Sequence, residues 1–244
     1  LEYHVLYGDP SAEPIWLELL ELLTRPRHLE RGGVDFIRSS CIDSGYAAQS
    51  VYGFVANRPV YGTPDGRIAY TWATKGFPGT GPVWPKKPGK SSMANVPVWP
   101  VKVDTAKDQI ASRAKTIEKP GPGFIHFPLT FGEDYFRQFT AEQAFDRVDS
   151  KGFPQRVWEM KKGRTRNEVW DTVVGNYAAL CALYSVGFDL EAECDVIERN
   201  IAGWDPDERP PQASPPRVNE QETRPPDPPR PGSGWLGGRR GWLR

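Results

Sequence analysis

The stretch RTRNEVWDTVVGNYAALCAL, residues 164–183, decides how the rest of the chain is interpreted. Its bulky apolar residues recur at helical spacing, so it predicts a helix with a broad face in the core. Glu168 and Asp171 lie one turn apart in a separate stripe that continues with Gly175 and Ala179. Because small residues let a second element approach the helix axis, the stripe predicts a helix packed against a sheet.

These two acids have a purely structural explanation as well as a functional one. Thr165 and Glu168 match the spacing of a capping box, in which the two side chains satisfy free backbone amides. Acids in the first turn also interact favourably with the helix dipole. For the helix considered alone, capping is the stronger explanation.

A third acid, Asp43, changes this balance. Residues 34–43 predict a strand that ends on Asp43, immediately before Ser44 and Gly45. Open sheets flanked by helices form their sites at the carboxyl ends of strands, where loops and side chains converge. The structural alternative is a turn-forming aspartate, which is common before glycine.

Composition restricts the possible classes of protein. The 244 residues include 31 basic and 31 acidic side chains, so net charge gives no argument for nucleic-acid binding, and any DNA contact has to come from local patches. Cys41, Cys181 and Cys194 lack paired or metal-ligand spacing, which favours neither a disulfide framework nor a zinc site. No apolar run is long enough to predict a membrane span.

Periodicity predicts an α/β fold. A helix at 15–23, the strand at 34–43, a helix at 46–56 and a strand at 67–74 follow one another as βαβ units do. Further strands are predicted at 1–8, 101–103, 124–127 and 153–158, and further helices at 106–114, 135–139 and 141–148. Asp104 or Thr105 is the expected cap of the helix at 106–114.

Basic residues occur in three places that could contact a phosphate backbone. Residues 76–100, rich in Gly and Pro, predict a long surface loop with two nearby tryptophans; an ordinary solvated loop explains it equally well. Lys107, in the first turn of a predicted helix, either contacts phosphate or points into water. A basic turn precedes Glu168. The candidate phosphate contacts are Lys75, Lys86, Lys87, Lys90, Lys107, Lys161, Lys162, Arg164 and Arg166.

The C-terminal part differs in composition from the rest. Residues 188–204 predict a helical extension, whereas residues 205–231 carry ten prolines among polar residues and predict a disordered linker. Residues 232–244 bring back two Trp-Leu pairs and several arginines. This ending suits docking to a partner, although an ordinary disordered terminus has the same composition.

Six blocks along residues 1–187 resemble, in the same order, the nuclease domain of lambda-type (GpA) phage terminase large subunits. They are CIDSGY (41–46), ATKG (73–76), VDTAKDQIASR (103–113), GPGFIHFP (121–128), FTAEQ (139–143) and RNEVWD (166–171). The resemblance implies a ribonuclease-H-like sheet flanked by helices, and metal-dependent endonucleolytic cutting of concatemeric double-stranded DNA. It also implies Asp43, Glu168 and Asp171 as ligands, or ligand-positioning groups, for two Mg²⁺ or Mn²⁺ ions.

The chain departs from this family in two respects. The packaging ATPase is not found, since no GxxxxGK[ST] motif and hence no ATP site occurs, and the leading aspartate of the family's first strand has no counterpart. Because two close divalent ions need a further carboxylate, Asp9 is the substitute that the sequence suggests. These departures predict a nuclease domain that lacks its first strands.

Two other functions remain open from the sequence. One is a DNA-binding fragment with an incomplete metal site, and the other is an interaction module whose tail docks to a phage portal, a procapsid or the small terminase subunit. The expected location in every case is the host cytoplasm, with no membrane partner.

Overall fold

The computed structural model describes residues 2–91, 96–116, 119–121, 123–148, 150 and 152–203. Within them the chain is a mixed α/β protein. The helices are α1 (Glu13–Thr24), α2 (Ala48–Ala56), α3 (Val103–Ala114), α4 (Glu133–Phe139), α5 (Glu168–Ser185) and α6 (Leu190–Ala202). The strands are β1 (Arg27–His28), β2 (Val34–Asp35), β3 (Ser39–Asp43), β4 (Val60–Gly62), β5 (Ile68–Phe77), β6 (Val98–Lys102), β7 (Glu142–Val148) and β8 (Pro154–Met160).

The main sheet is organised around the long strand β5. Strands β3 and β6 both run parallel to β5, whereas the short strand β4 pairs with its beginning in the antiparallel direction. Asp43 pairs with Thr74, and Lys102 pairs with Phe77, so the three parallel strands end on the same side of the sheet. This parallel arrangement confirms the βαβ prediction.

Helices cover both faces of this sheet. Successive side chains of a strand point to opposite faces, so two neighbouring residues of β5 show which helices lie on each face. Ala73 belongs to the hydrophobic cluster that contains the apolar residues of α1 and α2. Its neighbour Trp72 packs instead with the apolar residues of α3 and α5, together with Trp84 and Trp99. A sheet between two helical layers is the usual solution for parallel strands, whose two faces are both apolar.

The predicted packing of α5 on the sheet is confirmed. Ala178, Ala179 and Ala182 are buried, and the Ser39 hydroxyl at the start of β3 donates a hydrogen bond of 3.0 Å to the carbonyl of Ala179. A larger residue at these positions would hold the helix away from the strand. The position of α5 therefore depends on the small residues that follow its two acids.

Five predictions of local structure are wrong. The strand predicted at 34–43 is two strands in different sheets, β2 and β3. Residues 2–8 and 124–127 form no strand in the described chain, because no neighbouring strand offers them hydrogen bonds. Residues 142–148 form the strand β7 rather than a helix, since they pair along their whole length with β8. The predicted surface loop at 76–100 also contributes Val83, Trp84, Val96 and Val98 to the core.

Helix α6 is fastened to the sheet by ion pairs. The carboxylate of Glu193 accepts hydrogen bonds from the guanidinium groups of Arg38 and Arg67. Arg67 also pairs with Asp35 and Asp65, so one arginine joins three parts of the fold. In the described residues no single helix is long and apolar enough to cross a bilayer; α5 and α6 meet that criterion only as a pair bent by 102°.

Candidate functional site

The carboxyl end of β3 presents Asp43 beside a tightly built turn. The Ser44 hydroxyl and amide both donate to the carbonyl of Thr74, at 2.8 and 2.7 Å, which fixes the end of β3 against β5. The amide of Gly45 donates to Asp43 Oδ2 at 3.0 Å. The turn that the structural alternative predicts is therefore present, and it also orients an exposed carboxylate at the edge of the sheet.

Helix α3 begins directly after β6, at the same edge. Its N-cap is Lys102, and no side chain caps it, so the prediction of a cap at Asp104 or Thr105 is wrong. The buried Asp104 carboxylate instead accepts a hydrogen bond of 2.6 Å from the amide of Gly79, in the loop after β5. The first turn of α3 is thus fixed close to the ends of β5 and β6.

Lys107, at the start of the second turn of α3, points inward. The residue is only 8% exposed, and its ammonium lies 2.7 Å from a carboxylate oxygen of Glu142 and 3.5 Å from Asp171 Oδ1. An ammonium held in this way is not free to contact DNA. The expectation that Lys107 contacts phosphate or points into water does not fit this burial.

Glu142, the first residue of β7, completes a carboxylate group that the sequence did not predict. Its side chain is 6% exposed, and both oxygens accept short hydrogen bonds, from Lys107 Nζ at 2.7 Å and from Asn167 Nδ2 at 2.6 Å. Asp9, the predicted extra acid, instead accepts a hydrogen bond from the amide of Ser11 in the turn before α1. Glu142 is therefore the additional acid that the fold places near Asp171.

Asp171, on the first turn of α5, faces this group with a 58% exposed side chain. Its Oδ2 accepts a hydrogen bond of 3.1 Å from Asn167 Nδ2. Burial raises the pKa of Asp171, Lys107 opposes that rise, and the nearby carboxylates of Glu142 and Asp43 add to it. The Asp43 charge thus acts on Asp171, although the two residues come from different elements.

Glu168 is exposed at the start of α5, beside the basic turn. The capping-box prediction is wrong, because the N-cap is Asn167 rather than Thr165 and no side chain caps the helix. The Glu168 carboxylate pairs with Arg166, whose Nε lies 3.2 and 3.3 Å from its two oxygens. Capping therefore does not account for Glu168, whereas its place in the first turn of α5 keeps the favourable interaction with the helix dipole.

The predicted basic residues differ in their exposure and in the segments that carry them. Lys75 is exposed near the end of β5, and Lys86, Lys87 and Lys90 are exposed in the segment before β6. Lys161 and Arg164, which are partly exposed, and Lys162, which is exposed, form the turn between β8 and α5; the Arg164 amide donates to the Lys161 carbonyl. The turn and Arg166 therefore lie directly before the two acids of α5.

Sequence reasoning missed Glu142 and Asn167, although both lie in blocks that support the resemblance. Glu142 belongs to FTAEQ and Asn167 to RNEVWD. The error came from the helix predicted for residues 141–148, which gave no reason to bring Glu142 near α5. The signal available for Asn167 was its place directly before Glu168.

The residues present fit a divalent cation in their donor chemistry. Carboxylate oxygens suit hard ions such as Mg²⁺ and Mn²⁺, and a cation beside Asp171 would offset the charges of Glu142 and Asp43 that help to raise the pKa of Asp171. Among the described residues, no three His, Cys, Asp or Glu side chains are arranged to hold one ion together. Glu142 is buried and both its oxygens accept short hydrogen bonds, whereas Asp43 and Asp171 are exposed and form the available pair.

Comparison with known families identifies the family of this chain. Residues 1–208 match the family described as terminase large subunit gpA, endonuclease domain, and the chain belongs to that family. Membership makes it part of a DNA-packaging terminase and implies nuclease activity on DNA, with divalent metal use as nucleases generally have. No curated protein and no solved structure matches the chain significantly.

Proposed function

We propose that this chain is a divalent-metal-dependent endonuclease domain that cuts concatemeric double-stranded phage DNA during packaging, on a ribonuclease-H-like sheet. The observation that supports it most is the convergence of Asp43 and Asp171. Asp43 ends β3 and Asp171 lies on the first turn of α5, which packs on β3, and the Asp43 charge helps to raise the pKa of Asp171. A pair of repelling acids at the carboxyl edge of a parallel sheet is otherwise a cost to stability.

In this proposal Asp43 and Asp171 would hold Mg²⁺ or Mn²⁺, and Glu168 would add a third carboxylate only after DNA separates it from Arg166. When bound, the metal activates the attacking water and stabilises the leaving oxygen in an in-line displacement. The protein keeps the Asp43 carboxylate at the edge through the Gly45 amide. It keeps Asp171 oriented through Asn167 and Lys107.

Arg166 connects DNA binding with Glu168. Its guanidinium pairs with the Glu168 carboxylate, and both side chains are more than half exposed, so the pair contributes little to stability. A DNA phosphate competes well for an arginine, because the guanidinium donates two parallel hydrogen bonds to it. DNA binding then draws Arg166 away and leaves Glu168 free to contact the metal.

The remaining exposed basic side chains contact the substrate backbone. Lys161, Lys162 and Arg164 lie in the turn before α5, and Lys86, Lys87 and Lys90 lie in the segment before β6. Each phosphate contact adds affinity that falls with salt. Since the formal net charge is zero, the proposed binding depends on these local groups.

Plasmid cleavage tests the proposal. The full chain is incubated with supercoiled plasmid in Mg²⁺, Mn²⁺ or Ca²⁺ or with EDTA, beside Asp43→Asn and Asp171→Asn. Nicking and linearisation are expected with Mg²⁺ or Mn²⁺ only, and both variants should lose them. Cleavage in EDTA, or full activity in Asp171→Asn, would contradict the proposal.

A DNA-binding fragment with an incomplete metal site is the second candidate, because Glu142 is occupied by Lys107 and Asn167 rather than available to a second ion. It predicts salt-dependent binding of duplex DNA without cleavage in any metal. Retention of plasmid on a gel by a chain that never cuts it would favour this function over the first.

The proposed partners besides DNA are the portal or procapsid and the small terminase subunit, in the host cytoplasm. The predicted linker and ending at residues 205–244 lie outside the described residues, and their composition alone suggests docking. Deletion of residues 205–244 should weaken capture of portal or small subunit while leaving plasmid cleavage unchanged. Equal capture with and without the tail would exclude it as the docking segment.

A further inference from the structure

We propose that Lys107, Glu142 and Asn167 act as positioning residues that fix the Asp171 carboxylate in the orientation a metal requires. These three residues are called the Asp171 cradle. The inference rests on the proposed function, since it assigns a role toward the same metal. It concerns side chains that contact Asp171 rather than the ion.

Two donors of the cradle contact the two oxygens of Asp171, and both donors are themselves bound by Glu142. Lys107 Nζ lies 3.5 Å from Oδ1, and Asn167 Nδ2 lies 3.1 Å from Oδ2. Glu142 in turn accepts hydrogen bonds from the same two nitrogens, at 2.7 and 2.6 Å. The four side chains thus close a ring in which neither oxygen of Asp171 can rotate without breaking a contact to an anchored donor.

Exposure decreases from Asp171 into the cradle, as expected of a rigid support. The Asp171 side chain is 58% exposed, whereas those of Lys107 and Glu142 are 10% and 6% exposed. Lys107 belongs to α3, Glu142 to β7 and Asp171 to α5. Orientation of one exposed carboxylate is therefore determined by the packing of three elements.

Asn167 supplies an independent observation. It stands at the N-cap of α5, where an asparagine side chain ordinarily accepts a hydrogen bond from a backbone amide of the first turn. Here it makes no such bond and donates to Glu142 and Asp171 instead. An interaction that would stabilise the helix is forgone for one that orients a carboxylate.

A buried ion pair is itself weak evidence for stability, because desolvation of the two charges offsets their attraction. The pair between Lys107 and Glu142 is explained better by the carboxylate that it helps to orient. Removal of a side chain that orients a metal ligand without contacting the metal typically lowers metal affinity or activity by roughly 10- to 100-fold. A purely structural role would affect only folding.

The test compares Mn²⁺ affinity with stability and kinetics in the full chain. Asn167→Ala removes one donor without removing a cap. The paired variant Lys107→Met with Glu142→Gln removes both buried charges together, so that neither is left without its partner. Arg147→Met with Glu159→Gln is the matched control, because it makes the same changes in an exposed pair between β7 and β8.

Calorimetric titration of Mn²⁺ should show affinity lowered by roughly 10- to 100-fold in both cradle variants and unchanged in the control. The kcat for plasmid cleavage should fall with it, whereas the KM for DNA should stay the same. Wild-type Mn²⁺ affinity and kcat in Asn167→Ala, even with altered melting temperature, would overturn the inference. If the wild-type chain itself neither binds Mn²⁺ nor cuts DNA, the proposed function fails and the inference fails with it.

Discussion

The substitution Gly45→Ala tests the turn that orients Asp43, and its effect follows from one distance. A Cβ added at Gly45 would lie 2.7 Å from Asp43 Oδ2, where ordinary van der Waals contact begins at 3.4 Å. The oxygen therefore has to retreat by about 0.7 Å, which weakens its hydrogen bond from the Gly45 amide. Because the obstructed atom is the end of an exposed side chain, the expected loss of stability is below about 1 kcal/mol.

The expected loss of activity is much larger than the loss of stability. Misplacement of a reacting group by about 1 Å can lower a rate by a factor on the order of 100, so Gly45→Ala should reduce plasmid cleavage by roughly 10- to 100-fold. Urea unfolding and cleavage rates measured on the same preparation separate the two effects. Gly53→Ala in α2 is the control, since an added Cβ there meets nothing within 4 Å. Wild-type cleavage by Gly45→Ala, where Asp43→Asn is inactive, would refute the reasoning.

Two further predictions concern catalysis and acid stability. Glu168→Ala should abolish cleavage and lower the free energy of unfolding by less than about 1 kcal/mol, since it loses only an exposed ion pair. Thr165→Ala is the control, because Thr165 does not cap α5, and it should leave cleavage and melting temperature unchanged. An equal loss of cleavage in both variants would remove Glu168 from the site. Burial alone would raise the pKa of Asp65, but hydrogen bonds from Arg67 and Thr63 outweigh it and hold the pKa below its ordinary value of 3.8. Its contribution to stability is therefore present above that value and is lost as the pH falls through the folded-state pKa. Asp65→Asn should lower the free energy of unfolding at pH 7 by about 1–2 kcal/mol and flatten its decline in acid, and an unchanged acid limb in urea unfolding would contradict this.

Local sequence predicts the parts of the site that lie within a single helix or strand. Asp43 was located at a strand end because the apolar run stops there, and α5 was located because its apolar residues keep helical spacing over four turns. The small residues of α5 also predicted the close approach of a strand. Each of these signals depends only on neighbours in sequence, so it can be recognised without knowledge of the fold.

The cradle depends on contacts between distant parts of the chain, which no local pattern records. Lys107 and Glu142 are separated by 35 positions and Glu142 and Asn167 by 25. The segment of Glu142 has a pattern compatible with a helix, and it becomes a strand only because β8 pairs with it. Because residues 141–148 were predicted as a helix, the role of Glu142 could not be predicted. Lys107, for which a solvent-facing position was one of the two predictions, is buried.

The position of the metal tests the central claim most directly. Crystals of the full chain soaked in Mn²⁺ and recorded at a wavelength where manganese scatters anomalously would locate the ion without reference to activity. The account predicts an anomalous peak within coordination distance, about 2.2 Å, of carboxylate oxygens of both Asp43 and Asp171. A peak bound elsewhere, or no peak between these two residues at saturating Mn²⁺, would contradict it.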